Sequence, residues 1–168
     1  MEIRPVRSNE YRTVGDLTVA AFAGLEGSGD LGEYADTLRE VAQRDAAALV
    51  LVAVERGDGG DGGDVLGSVT YVGSPDNPFA EDLRPGEVGI RMLAVAPAAQ
   101  GRGVGRGLTE ACLAVARDAD VARVVLHSTP WMVVAHRLYG SLGFVRRPER
   151  DVMIREDLTL MAFALDLN

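Results

Sequence analysis

The chain has 168 residues, of which 47% are hydrophobic and 25% charged, and its formal net charge is −8. This length suits one well-buried domain over residues 1–168, and the composition excludes a disordered chain, a collagen and a disulfide-stapled miniprotein. The excess of acidic residues argues against a nucleic-acid partner, because binding a nucleic-acid backbone requires a basic surface that releases its counterions. With a single cysteine, no apolar run of membrane-spanning length and no signal peptide visible, we expect a reduced, cytoplasmic protein that makes no membrane contact.

The spacing of apolar residues predicts seven strands and four helices. In chain order, the expected strands lie at residues 2–6, 48–55, 65–72, 88–95, 122–128, 144–145 and 158–167, and the expected helices at 9–23, 33–47, 103–119 and 131–142. The early strands follow one another as hairpins, and the later ones are separated by helices. This order predicts an α/β fold, with a mixed sheet that carries helices on both faces.

The glycine- and aspartate-rich stretch at residues 57–64 lies between two predicted strands, so we interpret it as a long hairpin loop. Its aspartates superficially suggest a calcium loop. However, the stretch has no glutamate at its end to complete the calcium ligands, and no helices flank it, so we expect no metal site there.

The most informative segment follows the strand predicted at residues 88–95. It contains Gln100, Gly101, Gly103 and Gly105, and a helix is expected to begin within it. Amide groups at such a turn converge at the positive end of the helix dipole, which suits a pyrophosphate. The sequence has no lysine for a Walker loop, and the glycine spacing differs from the dinucleotide fingerprint. The alternative is a turn that only packs a helix against a strand.

Two segments together resemble the GNAT superfamily of acyl-CoA-dependent N-acyltransferases. Residues 100–105 match the superfamily's Arg/Gln-x-x-Gly-x-Gly/Ala motif, and residues 135–144 resemble its last helix and the strand that follows. The resemblance is tight over residues 87–146 and loose elsewhere. It implies a central mixed sheet splayed between the fourth and fifth strands. It also implies acetyl-CoA as co-substrate without a metal, and direct attack of an amine on the thioester in a ternary complex.

The resemblance also implies a cofactor-binding set. The amides of Leu93 and Val95 would polarise the thioester carbonyl, and the strand edge at residues 93–95 would pair with the pantetheine arm. The turn would bind the pyrophosphate, with positive charge added by two arginines. The expected cofactor-binding residues are Leu93, Ala94, Val95, Gln100, Gly101, Arg102, Gly103, Val104, Gly105 and Arg106.

Three residues are the catalytic candidates that the resemblance implies. Tyr139 stands where the family has its general acid, although it could instead be an ordinary core aromatic. Glu87 is the first candidate for the base, two residues before the position the acid often occupies. His127, at the end of the fifth predicted strand, is the alternative. We expect His136 on the outer face of its helix.

Met132 occupies the place of a family asparagine that binds pantetheine. Either Ser128 or Thr129 supplies that hydrogen bond, or the cofactor is bound by backbone alone. Trp131 is expected to be a core anchor.

The expected acceptor is a small primary amine, bound between the loops at residues 24–34 and 74–86. Both loops are acidic, which would suit an acceptor with a second positive charge. The acids in question are Glu26, Asp30, Glu33, Glu81 and Asp82. Two alternatives are a non-catalytic CoA-binding module and an acetyltransferase that modifies protein termini or side chains. By analogy with the family we also expect a homodimer.

Overall fold

The computed structural model describes residues 1–25, 27, 29–55 and 63–167. Within these ranges there are eight strands and five α-helices. The strands are β1 (Glu2–Pro5), β2 (Leu49–Val54), β3 (Val65–Val72), β4 (Glu87–Val95), β5 (Arg123–Ser128), β6 (Val145–Arg146), β7 (Val152–Arg155) and β8 (Leu158–Asp166). The helices are α1 (Tyr11–Ala23), α2 (Tyr34–Arg39), α3 (Val41–Ala47), α4 (Val104–Asp118) and α5 (Val133–Ser141). Most of the hairpin loop predicted at residues 57–64 lies outside the described residues.

The strands form one sheet in the order β1-β2-β3-β4-β5-β8-β6, with β7 also paired to β8. The pairing of β4 with β5 is parallel, whereas the other recorded pairs are antiparallel. The predicted α/β fold with a mixed sheet is therefore confirmed. No helix in the described ranges combines the length and the apolar character that a membrane span requires.

Helices cover both faces of the sheet because its central strands are apolar on both sides. In β2, Leu51 and Ala53 join a core that includes residues of α4 and Tyr139 of α5. Their neighbours Val50 and Val52 join a second core, under α1 and α3. Alternation along one strand thus supplies two hydrophobic layers.

Two predicted elements differ from the structure. The helix expected at residues 33–47 is interrupted at Glu40, whose ψ of 53° is not helical. Arg44, which is buried, reaches back to donate hydrogen bonds to the carbonyls of Thr37 and Leu38 at the end of α2. These bonds stabilise the C-terminal end of α2, which the spacing of apolar residues did not predict. Strand β7 was not predicted, because its side chains Met153 and Ile154 are exposed and show no alternating burial.

Strands β4 and β5 diverge partway along their length. Their pairing runs from Glu87 opposite Arg123 to Ile90 opposite Leu126. From there to Val95, β4 has no partner on the edge that faces β5. On its other edge β4 carries a bulge, where Met92 and Leu93 share one position of β3 and Met92 has a left-handed φ of 52°. A bulge reorients the residues that follow it, here at the point where the sheet opens.

Candidate active site

A cavity of about 270 Å³ lies where β4 and β5 diverge. Its walls come from the end of α1, the start of α2, the middle of β4, the end of β5, α5 and the β7–β8 hairpin. The lining residues are Phe22, Leu25, Asp30, Leu31, Tyr34, Glu81, Ile90, Arg91, Met92, Leu93, His127, Ser128, Thr129, Trp131, Met132, Tyr139, Ile154, Arg155, Leu158 and Leu160.

Tyr139 projects from α5 into this cavity. It is 5% exposed, and its ring packs against Phe144 and Phe163 with centroid distances of 5.9 and 6.0 Å. Burial raises the pKa of the Tyr139 hydroxyl above its ordinary value, because an apolar setting disfavours the phenolate. The hydroxyl therefore keeps its proton at neutral pH, as a proton donor must.

His127 also lines the cavity, and its two ring nitrogens have different partners. Nε2 lies 3.2 Å from the backbone carbonyl of Arg150, and Nδ1 lies 3.9 Å from Oε2 of Glu81. A carbonyl only accepts hydrogen bonds, so in the neutral ring Nε2 carries the hydrogen and Nδ1 the lone pair. The lone pair is thus on the side of Glu81, which lines the same cavity.

Glu87, the first candidate for the base, is not among the cavity-lining residues. It is 6% exposed, and Arg150 donates a hydrogen bond to each of its carboxylate oxygens, both at 2.8 Å. The Arg84 amide donates a further bond of 3.0 Å. Burial alone raises the pKa of Glu87, but these hydrogen bonds outweigh it and hold the pKa below its usual value. The geometry is that of a structural ion pair that anchors Arg150.

The predicted phosphate-binding turn lies beyond the end of β4, outside the cavity lining. Gly101 and Gly103 have positive φ values of 76° and 79°, and a Cβ at either would meet open space. Gly107 donates to the Gly103 carbonyl, and the amides of residues 101–106 make no hydrogen bond to another described residue. These free donors at the start of α4 fit the diphosphate of an acyl-CoA.

The two arginines of the turn are already paired on the surface. Arg102 contacts Glu55 at 2.6 Å, and Arg106 donates to Ser141 at 2.6 Å and lies 3.5 Å from Glu110. The positive charge of both arginines is thus partly engaged at the surface, which leaves the backbone amides as the donors that converge on the turn.

The expectation for His136 is wrong, because its ring packs inward. It lies 5.0 Å from the ring of Phe163, and its Nε2 is 3.1 Å from Oγ of Ser128. Its spacing of three residues from Tyr139 puts both on one helix face, a signal that the sequence contained. With Ser128 engaged in this way, the buried hydroxyl of Thr129 has no partner among the described residues. Thr129 thus has the free group for a pantetheine hydrogen bond.

The acidic loops contribute unequally to the site. Asp30 and Glu81 line the cavity, whereas Glu33 and Asp82 do not, and Glu26 lies outside the described residues. Trp131, expected as a core anchor, instead forms part of the cavity wall. Among the described residues, no three His, Cys, Asp or Glu side chains are grouped so that they could hold a metal ion.

Comparisons with known proteins agree with this geometry. The model of the Acetyltransferase (GNAT) family matches residues 16–144. A mycothiol acetyltransferase from Cellulomonas flavigena is 42% identical over 50% of this chain and 24% of its own length. One from Parafrankia sp. is 40% identical over 48% of this chain and 26% of its own length. The chain thus spans about a quarter of these curated relatives.

Solved structures of acetyltransferases share the whole fold. A GNAT-family structure from Desulfovibrio desulfuricans has a TM-score of 0.75 and 19% identity, with 99% of both chains covered. A Salmonella typhimurium structure described as an acetyltransferase with its cofactor acetyl-CoA has a TM-score of 0.67 and 22% identity, covering 100% of this chain and 94% of its own. The NatC complex bound to Gag peptide and CoA has a TM-score of 0.67 and 19% identity, with 100% of both chains covered.

The family match covers residues 16–144, well over half of the chain, so the chain belongs to the GNAT family of acetyltransferases.

Proposed function

We propose that this chain transfers the acetyl group of acetyl-CoA to a small primary amine by direct attack in a ternary complex. One observation carries the proposal: the cavity between β4 and β5 is lined by a proton donor, Tyr139, and by a proton acceptor, His127. Transfer of an acyl group from sulfur to nitrogen requires both, since the amine loses a proton and the thiolate gains one.

The co-substrate would be held mainly by backbone. The free amides of residues 101–106 would bind the diphosphate at the start of α4. The part of β4 that β5 leaves unpaired, residues 91–95, would pair with the amide-rich pantetheine arm as an added strand does. The unpaired hydroxyl of Thr129 would supply a side-chain bond.

The bulge in β4 would serve to polarise the thioester. Met92 and Leu93 occupy one register position, which frees peptide groups of this segment from regular pairing. An amide directed at the carbonyl oxygen would stabilise the negative charge that develops during attack, an effect worth about 3–4 kcal/mol in enzymes where such a donor has been removed. The amides of Leu93 and Val95 are our candidates.

Tyr139 would protonate the departing thiolate. Burial keeps its hydroxyl in the neutral form, so the proton is available for donation. Because a tyrosine is a weaker acid than a thiol, the transfer to the thiolate is uphill by itself, and the proton that His127 takes from the amine would return to the phenolate to complete it. The proton then leaves as part of the CoA thiol.

His127 is our choice for the base over Glu87. Its ring lines the cavity, and its Nδ1, to which we assign the lone pair, lies 3.9 Å from the Glu81 carboxylate, which lines the same cavity. Glu87 faces Arg150 with both oxygens and does not line the cavity. In this mechanism Glu87 acts only by anchoring Arg150, whose carbonyl orients the ring of His127.

The size of the cavity supports a small acceptor over a peptide. Its volume of about 270 Å³ lies just below the usual range for small-ligand pockets, roughly 300–1,000 Å³. The named relatives are mycothiol acetyltransferases, but the chain covers only a quarter of their length, so they support acetyl transfer without defining the acceptor.

The test combines calorimetry with CoA and release of free thiol from acetyl-CoA over a panel of amines. We expect CoA to bind and at least one small amine to be acetylated. Binding without turnover on any amine or peptide would indicate a CoA-binding module instead. Faster acetylation of peptides with free amino termini than of small amines would indicate a protein-modifying enzyme.

A pair of His127 variants tests the base. In the His127→Gln variant the side-chain amide can still donate to the Arg150 carbonyl but has no basic nitrogen, so kcat should fall by about 10²–10⁴ with the KM for acetyl-CoA little changed. His127→Ala should regain part of its activity with added imidazole. Wild-type turnover in His127→Gln would remove His127 from the mechanism.

A further inference from the structure

We propose that the acceptor is a primary amine carried on an apolar, ring-sized body without a carboxylate. This inference rests on the proposed function and specifies the substrate class of the same cavity. Four kinds of observation carry it: the apolar wall, the pairing of the arginines, the acids, and the volume.

The acceptor end of the cavity is mostly hydrophobic. Phe22 and Tyr34 meet edge to face with their ring centroids 6.2 Å apart, and Trp131 stands on the wall as well. Aliphatic side chains complete this wall: Leu25, Leu31, Ile154, Leu158 and Leu160. A wall of this kind gains binding free energy by removing apolar surface of the acceptor from water, and its rings favour an aromatic body.

The arginines in the lining offer little to an acceptor carboxylate. Arg91 donates to the carbonyl of Phe79 at 2.9 Å and lies 3.6 Å from Glu81. Arg155 contacts Asp157 at 2.5 Å through Nε, and its side chain is 56% exposed, so water screens its charge. A carboxylate entering the cavity would therefore lose water without gaining a buried, unpaired cation.

The acids of the lining suit a cation. Asp30 has no ion pair among the described residues, whereas Glu81 lies between Arg91 and the His127 nitrogen that we assign as base. An ammonium group would be attracted to this end of the cavity and would be deprotonated there before attack. The apolar wall then receives the rest of the molecule, and a cavity of about 270 Å³ has room for a single ring system.

The kinetic test compares 2-phenylethylamine with ethanolamine and with phenylalanine. Ethanolamine lacks the ring, and phenylalanine adds only a carboxylate. Burying on the order of 100 Å² of ring surface corresponds to about 10² in kcat/KM, so 2-phenylethylamine should exceed ethanolamine by that factor. The kcat/KM for 2-phenylethylamine should exceed that for phenylalanine by at least about tenfold. Equal or higher kcat/KM for either comparison amine would overturn the inference.

Tryptophan fluorescence reports on the cavity directly, because Trp131 lines it and is the chain's single tryptophan. Its fluorescence should change saturably with 2-phenylethylamine and not with ethanolamine at the same concentrations. A response to both amines alike, or to neither, would contradict the proposed wall.

The Trp131→Ala variant gives a matched comparison. It should lower kcat/KM for 2-phenylethylamine at least about tenfold more than for ethanolamine, with the KM for acetyl-CoA unchanged. An equal loss for both amines would mean that Trp131 has only a structural role, and would overturn the inference. Acetylation of polar amines alone would refute this substrate class and leave the proposed function intact, whereas no acetylation of any amine would refute the proposed function itself.

Discussion

Replacing Glu87 by glutamine separates a structural role from a catalytic one. In the structure Glu87 is buried, and Arg150 binds both of its oxygens at 2.8 Å. The substitution leaves the buried Arg150 guanidinium without the anionic partner of its two terminal nitrogens. Removing one member of a buried ion pair typically costs about 3–5 kcal/mol.

The expected loss lies near the lower end of that range. The glutamine carbonyl still accepts one hydrogen bond, and Asp82 remains 2.9 Å from Nε of Arg150. We therefore expect the free energy of unfolding to fall by about 3 kcal/mol, which for a chain of this size lowers Tm by roughly 6–12 °C. Thermal unfolding followed by circular dichroism at pH 7 measures this shift.

The pH dependence of that loss has a defined sign. The pKa of Glu87 is lowered in the folded protein, so its contribution is complete above the unfolded value, near 4.3, and is lost as pH falls through the folded value. The difference in stability between wild type and variant should therefore shrink as pH is lowered below about 4.3.

The Asp166→Asn variant is the control for the same chemical change at an exposed pair. Asp166 lies 2.5 Å from Arg123, but its side chain is 47% exposed, so its loss should cost less than about 1 kcal/mol. If Glu87→Gln instead left Tm unchanged and lowered kcat by about 10²–10⁴, Glu87 would be the general base and our assignment of His127 would be wrong.

Three further predictions concern the acid, the turn and the cysteine. Tyr139→Phe keeps the ring but removes the hydroxyl, so kcat should fall by about 10²–10⁴ with the KM for acetyl-CoA little changed; full activity would exclude Tyr139 as the acid. Gly103→Glu should abolish CoA binding measured by calorimetry, whereas Gly103→Ala, which shares the backbone strain at φ 79° but adds no charge, should weaken it less; equal binding in both variants would contradict a diphosphate site. Cys112 is 0% exposed and burial raises the pKa of its thiol to about 12, so a thiol reagent at pH 8 should label it only after unfolding; rapid labelling of the native protein would refute its burial.

The sequence allowed the fold class and the turn to be predicted because both depend on local signals. The glycines at 101 and 103 occupy left-handed positions that favour glycine whatever lies elsewhere in the chain. The apolar runs of the central strands mark a sheet covered on both faces. The location of Tyr139 beside the cavity follows from its place on a short amphipathic helix.

The base could not be settled in the same way, because its surroundings come from distant parts of the chain. Glu87 is paired with Arg150, which is 63 residues further on. The partners of His127 belong to a single 3-10 turn, which holds Arg150, and to a loop, which holds Glu81, and neither has a periodic pattern. The cavity wall formed by the β7–β8 hairpin was also missed, since β7 is exposed and shows no alternation.

Because Met92 and Leu93 share one register position, the direction of the peptide groups in β4 depends on the number of residues in the strand more than on their types. Peptide groups alternate in direction along a strand, so deleting one residue between Ile90 and Leu93 would turn every downstream N–H toward the opposite neighbour. No substitution elsewhere could restore that direction. Chimeras that join this chain to a homologue inside this strand should therefore tolerate changed side chains but not a changed residue count.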